Sequence, residues 1–342
     1  MYNPLTALVW GLVIIFLLLI IFWPRLGLMA RYQKIRQGKI RILVEDALKH
    51  LYECERNQIP CTYKSLADYL SISVVKATRI LKQLEATGQV KFEKSGFILT
   101  SDGRMYALRM IRIHRLWEQY LAEQTGLPET SWHAEADIQE HQVSSEQAEE
   151  ISQLLGNPRY DPHGDPIPSA SGHLPPKRGI PLHQLNEHVA AEVVHIEDEP
   201  EEIYADILGS GIHPGTQLVK TGDSPAGFIL QIEGRMVDLP LRLIQNISVR
   251  KMPPKTFVEG SHDSLDQLKV GEEAEIVGLA RGCRGHQRRR LMDLGVIPGT
   301  IVIPEIESLG RDPRAYRIRG ALIALRKDQA QYIYVRKMKE VA

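Results

Sequence analysis

The stretch TYKSLADYLSISVVKATRILKQLEATGQV, residues 62–90, has the pattern of two short helices joined by a tight turn. Its apolar residues recur at helical spacing on both sides of residues 71–73, and Gly88 stands where the second helix would end. The residues that follow, VKFEKSGFILT, alternate as the two strands of a hairpin would. Residues 42–102 are therefore predicted to form a winged helix-turn-helix domain.

The second helix of this motif, which begins near Ser73, carries polar and basic side chains beside its apolar stripe. Such side chains suit contacts with DNA phosphates and base edges. Any small helical domain can show the same helical pattern, so the pattern alone leaves DNA binding and a purely structural role both open. The candidate DNA-binding residues are Ser73, Lys76, Thr78, Arg79, Lys82 and, on the wing, Lys94.

An uncharged run of about 19 residues, LTALVWGLVIIFLLLIIFW, lies near the N-terminus and is long enough for a helix to cross a bilayer. It has neither the basic segment before it nor the small-residue cleavage site after it that a signal peptide has. Basic residues follow it, with no acidic residue before Glu45. The positive-inside rule then predicts a single-pass inner-membrane anchor at residues 1–24, a basic juxtamembrane segment at 25–41 and cytoplasmic C-terminal domains.

The stretch WHAEADIQEHQVS, residues 132–144, concentrates histidines and carboxylates. At 3.6 residues per turn, four of these side chains share one helix face: His133, Asp137, Glu140 and His141. A long helix predicted upstream carries a further pair, His114 and Glu118, one turn apart. Spacing alone leaves three interpretations open for the face, namely a solvated surface, a salt-bridge patch and half of a metal site.

The remaining segments predict a multidomain α+β chain. A helical domain would occupy residues 103–156, and the Pro-, Gly- and Ser-rich residues 157–182 would form a linker. Two modules of short strands, each with a Pro-Gly-Thr turn, follow at 183–253 and 262–338. Both are predicted to be small SH3-like β-barrels.

Composition excludes several classes of function. A chain of 342 residues needs more than one core, and its formal net charge of zero gives no overall attraction to nucleic acid. The three cysteines form no CxxC pair, which argues against a disulfide framework and a thiolate zinc site; Cys54 is expected in a core and Cys61 in a turn. No P-loop, HExxH motif or Ser-His-Asp order is present, so no enzyme is predicted.

Residues 42–168 resemble the DtxR/MntR family of metal-dependent transcriptional repressors. The resemblance is carried by LYECER, the helix-turn-helix, HRLWEQYL, AEADIQEHQVS and LGNPRYDPHGDPIP. The C-terminal module resembles FeoA, a small SH3-like barrel of bacterial ferrous-iron transport, through RRLMDLGVIPGT and RIRGALIALR. The module before it fits the SH3-like third domain of the longer repressors. A transmembrane helix is a departure from the usual soluble members.

The resemblance implies metal ligands at matching positions. It places a primary site at Asp46, Asp137, Glu140 and His141, and an ancillary site at His114, Glu118 and His133. Lys49 stands where manganese sensors have a carboxylate, which disfavours a binuclear site; His195 or Asp198 is a looser candidate for the ancillary site. Oxygen and nitrogen ligands suit Mn²⁺ or Fe²⁺ rather than zinc or copper. Ligand hardness favours manganese and the FeoA-like module favours iron, so the metal stays open.

The expected function is a membrane-anchored, Mn²⁺- or Fe²⁺-dependent repressor of metal-uptake genes. A homodimer would bind a palindromic operator in double-stranded DNA, with metal fixing the separation of the two recognition helices. The alternative is a membrane accessory of a ferrous-iron transporter that uses its FeoA-like module to bind a protein partner. The basic stretch RGCRGHQRRR, residues 281–290, fits a phosphate or partner site, or simply a solvated loop.

Overall fold

A computed structural model describes most of the chain. The described residues are 8, 10, 20, 28–93, 96–232, 235–253, 263–308, 310 and 312–338. The chain divides into two compact units, Met1–Ile111 and Arg112–Ala342.

The N-terminal unit contains the predicted helix-turn-helix and its hairpin. Its elements are α1 (Leu28–Arg56), α2 (Tyr63–Tyr69), α3 (Val74–Ala86), β1 (Val90–Glu93) and β2 (Gly96–Leu99). Thr62 and Ser65 close a capping box at the start of α2, and the Ser73 hydroxyl accepts a hydrogen bond from the Lys76 amide at the start of α3. Strands β1 and β2 pair antiparallel, as a wing requires. Side chains of α1, α2, α3 and the hairpin share one buried apolar core.

The prediction of a single-pass inner-membrane protein is contradicted. None of the helices in the described parts of the chain is long and apolar enough to span a bilayer. The predicted anchor at residues 1–24 lies outside the described residues, apart from positions 8, 10 and 20. Helix α1 begins inside the segment that was predicted to be juxtamembrane, at Leu28.

Three helices begin the C-terminal part of the fold. Helix α4 (Ser101–Gln124) carries the chain from the first unit into the second, and α5 (Trp132–Glu140) and α6 (Ser145–Leu154) follow. A capping box between Ser144 and Gln147 begins α6, as the sequence predicts. Trp132 packs with apolar side chains of α4 in a small buried cluster. This packing holds the histidine and carboxylate residues of α5 beside those of α4.

The predicted linker at residues 157–182 is partly a packed segment, because every residue from 161 to 168 is buried. The Asp161 carboxylate accepts hydrogen bonds from the amides of His163, Gly164 and Asp165, which satisfies backbone donors that burial removes from water. A Cβ at Gly164 would lie 2.0 Å from the carbonyl oxygen of Val194, so only glycine allows this close approach to the following sheet.

Two six-stranded sheets form the rest of the C-terminal unit. The strands and helices of the first module are β3 (Ile180–Pro181), β4 (Ala190–Ile196), α7 (Glu201–Gly209), β5 (Gln217–Asp223), β6 (Gly227–Ile232), β7 (Arg235–Pro240), α8 (Leu241–Ile244) and β8 (Ile247–Lys251). Those of the second are β9 (Asp263–Ser264), β10 (Ala274–Leu279), α9 (Gly285–Asp293), β11 (Ile301–Glu307), β12 (Arg314–Ile318), β13 (Ala321–Leu325), α10 (Lys327–Ala330) and β14 (Ile333–Lys337).

The two modules, predicted to be small SH3-like β-barrels, are β-rich, but their described residues form open sheets rather than closed barrels. The strand orders are β3-β8-β4-β5-β6-β7 and β13-β12-β11-β10-β14-β9, so each sheet has two edges. The edge strands β3 and β9 have only two residues each, and β3 ends in a proline, which has no N–H to donate to a further strand. Each sheet instead curls around its own apolar core.

The basic stretch at residues 281–290 is not simply a solvated loop. Not all of its basic side chains are free to bind a phosphate or a partner. Its second half forms the start of α9, and two of its arginines bind backbone carbonyls elsewhere in the unit. The Arg284 guanidinium donates to the carbonyls of Pro162 and Pro214, at 2.8 and 2.9 Å. Arg289 donates to the carbonyl of Glu123 at the end of α4, at 2.6 Å.

Candidate metal centre

His114, on α4, lies at the middle of a cluster of titratable side chains in the C-terminal unit. Its Nδ1 atom is 2.8 Å from a Glu140 oxygen and 3.2 Å from an Asp137 oxygen, both on α5. Its Nε2 atom is 3.0 Å from Oε1 of Glu118, one turn further along α4, and 3.3 Å from Nδ1 of His133. His114, Glu118 and Glu140 are all buried. One imidazole therefore contacts residues of both predicted metal sites.

His133 extends the cluster to the first β-module. Its Nδ1 atom lies 3.2 Å from Glu118 Oε1 and 2.9 Å from Asp198 Oδ2. Its Nε2 atom lies 3.0 Å from Glu199 Oε1. Asp198 and Glu199 follow the end of β4, so the β-module contributes carboxylates to a site that begins on helices α4 and α5.

His163 lies near two of the same carboxylates, Glu118 and Asp198. Its Nδ1 atom is 2.9 Å from the Tyr204 hydroxyl, which in turn donates to Glu129. Its Nε2 atom is buried without a hydrogen-bond partner, although it lies 3.9 Å from both Glu118 Oε1 and Asp198 Oδ2. That separation is too long for a hydrogen bond but suits three atoms arranged around one cation. A cavity of about 610 Å³ borders His133, His163 and Asp198.

Charge attraction and hydrogen bonds within the cluster change the pKa values of Glu118 and His133. Burial alone would raise the pKa of Glu118, but the charge of His114 and hydrogen bonds from His114 and His133 lower it well below its ordinary value. Burial alone would lower the pKa of His133, but hydrogen bonds to Asp198, Glu118 and Glu199 raise it well above its ordinary value. The carboxylates thus hold a proton on His133, and a divalent cation would supply the same positive charge in competition with that proton.

The donor set fits Mn²⁺ or Fe²⁺. Among the described residues of the C-terminal unit, three overlapping groups have ligand atoms within 4.8 Å of one another: His114-Glu118-His133, His114-Asp137-Glu140 and Glu118-His163-Asp198. All of these donors are carboxylate oxygens or imidazole nitrogens, which suit borderline-hard divalent ions. The partnerless Nε2 of His163 is a further nitrogen for which an ion between the carboxylates would account.

The remaining two predicted primary-site residues lie at the end of α5 and on α1. His141 ends α5, and its Nε2 atom lies 3.6 Å from Glu140 Oε1. Asp46 lies partly buried on α1 in the N-terminal unit. Lys49, the departure from the manganese-sensor pattern, is on the same helix and also partly buried.

The candidate DNA-binding residues that the structure describes lie on or beside α3. Lys76, Arg79 and Lys82 are exposed. The Ser73 hydroxyl caps α3, and the Thr78 hydroxyl donates to the carbonyl of Val74 at 2.8 Å, so both already have a role within the helix. Lys94 lies outside the described residues.

Sequence reasoning missed His163 and placed Asp198 only loosely. His163 falls in DPHGDPIP, a stretch that carries no helical or strand periodicity and reads as linker. His163 takes its position because that stretch is buried beside β4, and no local sequence pattern predicts this burial. The concentration of acidic residues in HIEDEPEE, residues 195–202, was the one local signal for Asp198 and Glu199.

Family models match both the helical region and the two β-modules. Residues 100–169 match the model of the iron dependent repressor metal-binding and dimerisation domain, and residues 180–251 and 264–337 each match the FeoA domain. The first β-module, predicted to be the repressors' own third domain, is therefore also a FeoA domain.

Similar proteins match about three fifths of the chain. The iron-dependent repressor IdeR of Mycobacterium leprae is 26% identical over 228 residues, which are 60% of this chain and 95% of that protein. The diphtheria toxin repressor of Corynebacterium efficiens is 26% identical over 216 residues, 60% of this chain and 94% of that one. A manganese-dependent transcriptional repressor solved in complex with manganese is 30% identical, with a TM-score of 0.57, over 61% of this chain and 100% of its own.

These repressors are not enzymes, in agreement with the sequence analysis. The family model coincides with the helices that carry His114, Glu118, His133, Asp137 and Glu140. The chain therefore contains a repressor domain of the DtxR/MntR family, followed by two FeoA domains.

Proposed function

We propose that this chain is a metal-dependent transcriptional repressor that binds DNA as a homodimer when Mn²⁺ or Fe²⁺ is bound. The observation that carries the proposal is the buried cluster around His114, in which both ring nitrogens lie within 3.0 Å of a carboxylate oxygen. Buried acidic and imidazole groups at this density are costly to desolvate, and a bound cation offsets that cost. The similarity to Mn- and Fe-dependent repressors supports the same conclusion.

The proposed ligands fall into two adjoining sets. His114, Glu118, His133 and Asp198 would hold one ion, and Asp137, Glu140 and His141 would hold the other. Asp46 joins the second set on the strength of the family resemblance. The bound ion supplies positive charge between the carboxylates, and the side chains of α4 and α5 keep the donors in place because both helices are packed around Trp132.

The proposed DNA surface is the exposed face of α3. Lys76, Arg79 and Lys82 point basic side chains away from a buried stripe that contains Ala77, Ile80 and Leu81. In a two-fold dimer, two such helices would enter successive major grooves about one DNA turn apart, so a palindromic operator is expected. Metal would act by favouring the arrangement of units that matches this spacing.

Metal-dependent selection of DNA tests the proposal. Full-length protein is incubated with genomic DNA fragments, with and without Mn²⁺, and the retained fragments are sequenced. We expect a palindromic motif to be enriched only with Mn²⁺ or Fe²⁺, and Glu118→Gln to abolish the enrichment. Asp206→Asn, which changes an exposed carboxylate paired with Arg242, serves as the control and should behave as the wild type. Equal enrichment with and without metal, or none at all, would overturn the proposal.

A further inference from the structure

Two cysteines and a histidine meet inside the winged-helix unit, away from the carboxylate cluster. His50 and Cys54 lie one turn apart on α1, and Cys61 lies in the short segment between α1 and α2. Their ligand atoms all lie within 4.8 Å of one another. Sequence spacing gave no sign of this, because Cys54 and Cys61 are separated by the end of α1 and a turn.

The distance between His50 and Cys54 fits one tetrahedral ion. Nε2 of His50 lies 3.4 Å from Sγ of Cys54. A zinc ion with nitrogen at about 2.0–2.1 Å and sulfur at about 2.3 Å would separate such a pair by about 3.6 Å. The His50 ring is also held in orientation, because it stacks on Tyr69 with ring centroids 4.3 Å apart.

Burial and charge suit a thiophilic divalent cation. Cys54 and Cys61 are only 7% and 2% exposed, whereas His50 is partly exposed and offers a route from solvent. Burial lowers the pKa of His50, which keeps the ring in the neutral form that binds metals. Two thiolates would cancel the charge of a divalent ion, so the loaded site would be electrically neutral, as a buried site requires.

We propose that His50, Cys54 and Cys61 form a separate metal site, of soft donors, that binds Zn²⁺ or a similar thiophilic cation. Binding replaces two thiol protons, which are released to water, and leaves the fourth tetrahedral position to a water molecule. Burial raises the pKa of Cys54, and that of Cys61 to about 12, so without a cation both side chains are neutral thiols that pack as small apolar groups.

This site would brace the wing. The carbonyl of Cys61 accepts a hydrogen bond from the Phe97 amide on β2, at 2.9 Å. A Cβ at Gly96 would lie 2.6 Å from that same carbonyl oxygen, so the backbones are already in close contact. An ion that ties Cys61 to α1 therefore ties the second wing strand to α1 as well. The proposal concerns the N-terminal unit alone and does not depend on the function of the carboxylate cluster.

Cadmium provides a selective probe, because only a thiolate ligand gives a sulfur-to-cadmium charge-transfer band in the ultraviolet. Reduced, full-length protein is titrated with Cd²⁺ and then with competing Zn²⁺. We expect a saturable band that Zn²⁺ removes. Cys54→Ser and Cys61→Ser should each abolish or strongly reduce it. Cys283→Ser is the matched control, since Cys283 is equally buried but lies in the second FeoA domain, and it should keep the full band.

Two further variants keep the test decisive. His50→Gln should weaken cadmium binding while leaving both thiols in place. It therefore tests the site even if a cysteine variant fails to fold. Glu140→Gln, which changes the carboxylate cluster, should leave the band intact, so this proposal and the proposed repressor function can fail separately. Absence of the band in the wild type, or its persistence in Cys54→Ser and His50→Gln, would show that the three side chains only pack as core.

Discussion

Nδ1 of His114 lies 2.8 Å from Oε2 of Glu140, although the two residues are 26 positions apart and were assigned to different metal sites. Nε2 of the same ring contacts Glu118, a residue of the ancillary set. The two predicted sites are therefore joined through one imidazole. If His114 changes partner when one ion binds, the donors available to the other ion change as well. We therefore expect metal binding at the two sites to be coupled.

Replacing Glu140 tests the shared cluster. Glu140→Gln keeps the volume of a fully buried side chain but removes one of the negative charges that offset the cation. We expect Mn²⁺ affinity, measured by calorimetric titration, to fall by at least about 10-fold, which is the smaller effect seen for groups that only support a ligand. Glu150→Gln, an exposed carboxylate on α6, should give the wild-type isotherm. Two indistinguishable isotherms for Glu140→Gln and wild type would remove Glu140 from the ligand set.

The β-module's contribution is tested through Asp198. Its carboxylate lies 2.9 Å from His133 Nδ1, so Asp198→Asn should weaken binding of one ion while leaving the Asp137–Glu140 set intact. The expected calorimetric result is the loss or weakening of one binding phase, with the other retained. An unchanged isotherm for Asp198→Asn would confine the site to helices α4 and α5.

The recognition helix is tested by comparing two exposed basic residues of α3. If Arg79 reads a base, Arg79→Ala should weaken binding to the selected operator by about 1–3 kcal/mol and binding to random DNA much less. If Lys82 contacts a phosphate, Lys82→Ala should weaken both by similar amounts and reduce the salt dependence. Fluorescence anisotropy with the two DNAs measures both differences. Wild-type affinities for both variants would leave α3 with a structural role only.

Arg284 is expected to stabilise the packing of the second FeoA domain within its unit. Its guanidinium donates to two backbone carbonyls, and Arg284→Ala would leave both without that donor. We expect the free energy of unfolding to fall by about 1–3 kcal/mol in urea titrations. Arg290→Ala, at an exposed position on α9, should change it by at most about 0.5 kcal/mol. Equal effects of the two substitutions would show that the Arg284 contacts add no stability.

Local signals in the sequence were enough to predict the elements that carry the candidate sites. The helix-turn-helix, the hairpin and the capping box at Ser144 are formed by neighbours within a few residues, and their apolar spacing and capping residues are visible in the sequence. The stripe on α5 was predicted in the same way. The ligand assignments within it came from the family resemblance, since spacing alone could not separate a metal site from a salt-bridge patch.

Only the tertiary structure decided which side chains meet. His163 reaches Glu118 and Asp198 because residues 161–168 are buried against β4, and Cys61 reaches His50 because the chain turns back beside α1. The same holds for the two open sheets, whose strand orders pair strands far apart in sequence, such as β4 with β8 and β10 with β14. These contacts depend on packing between residues far apart in sequence, and helical or strand periodicity contains no information about that packing.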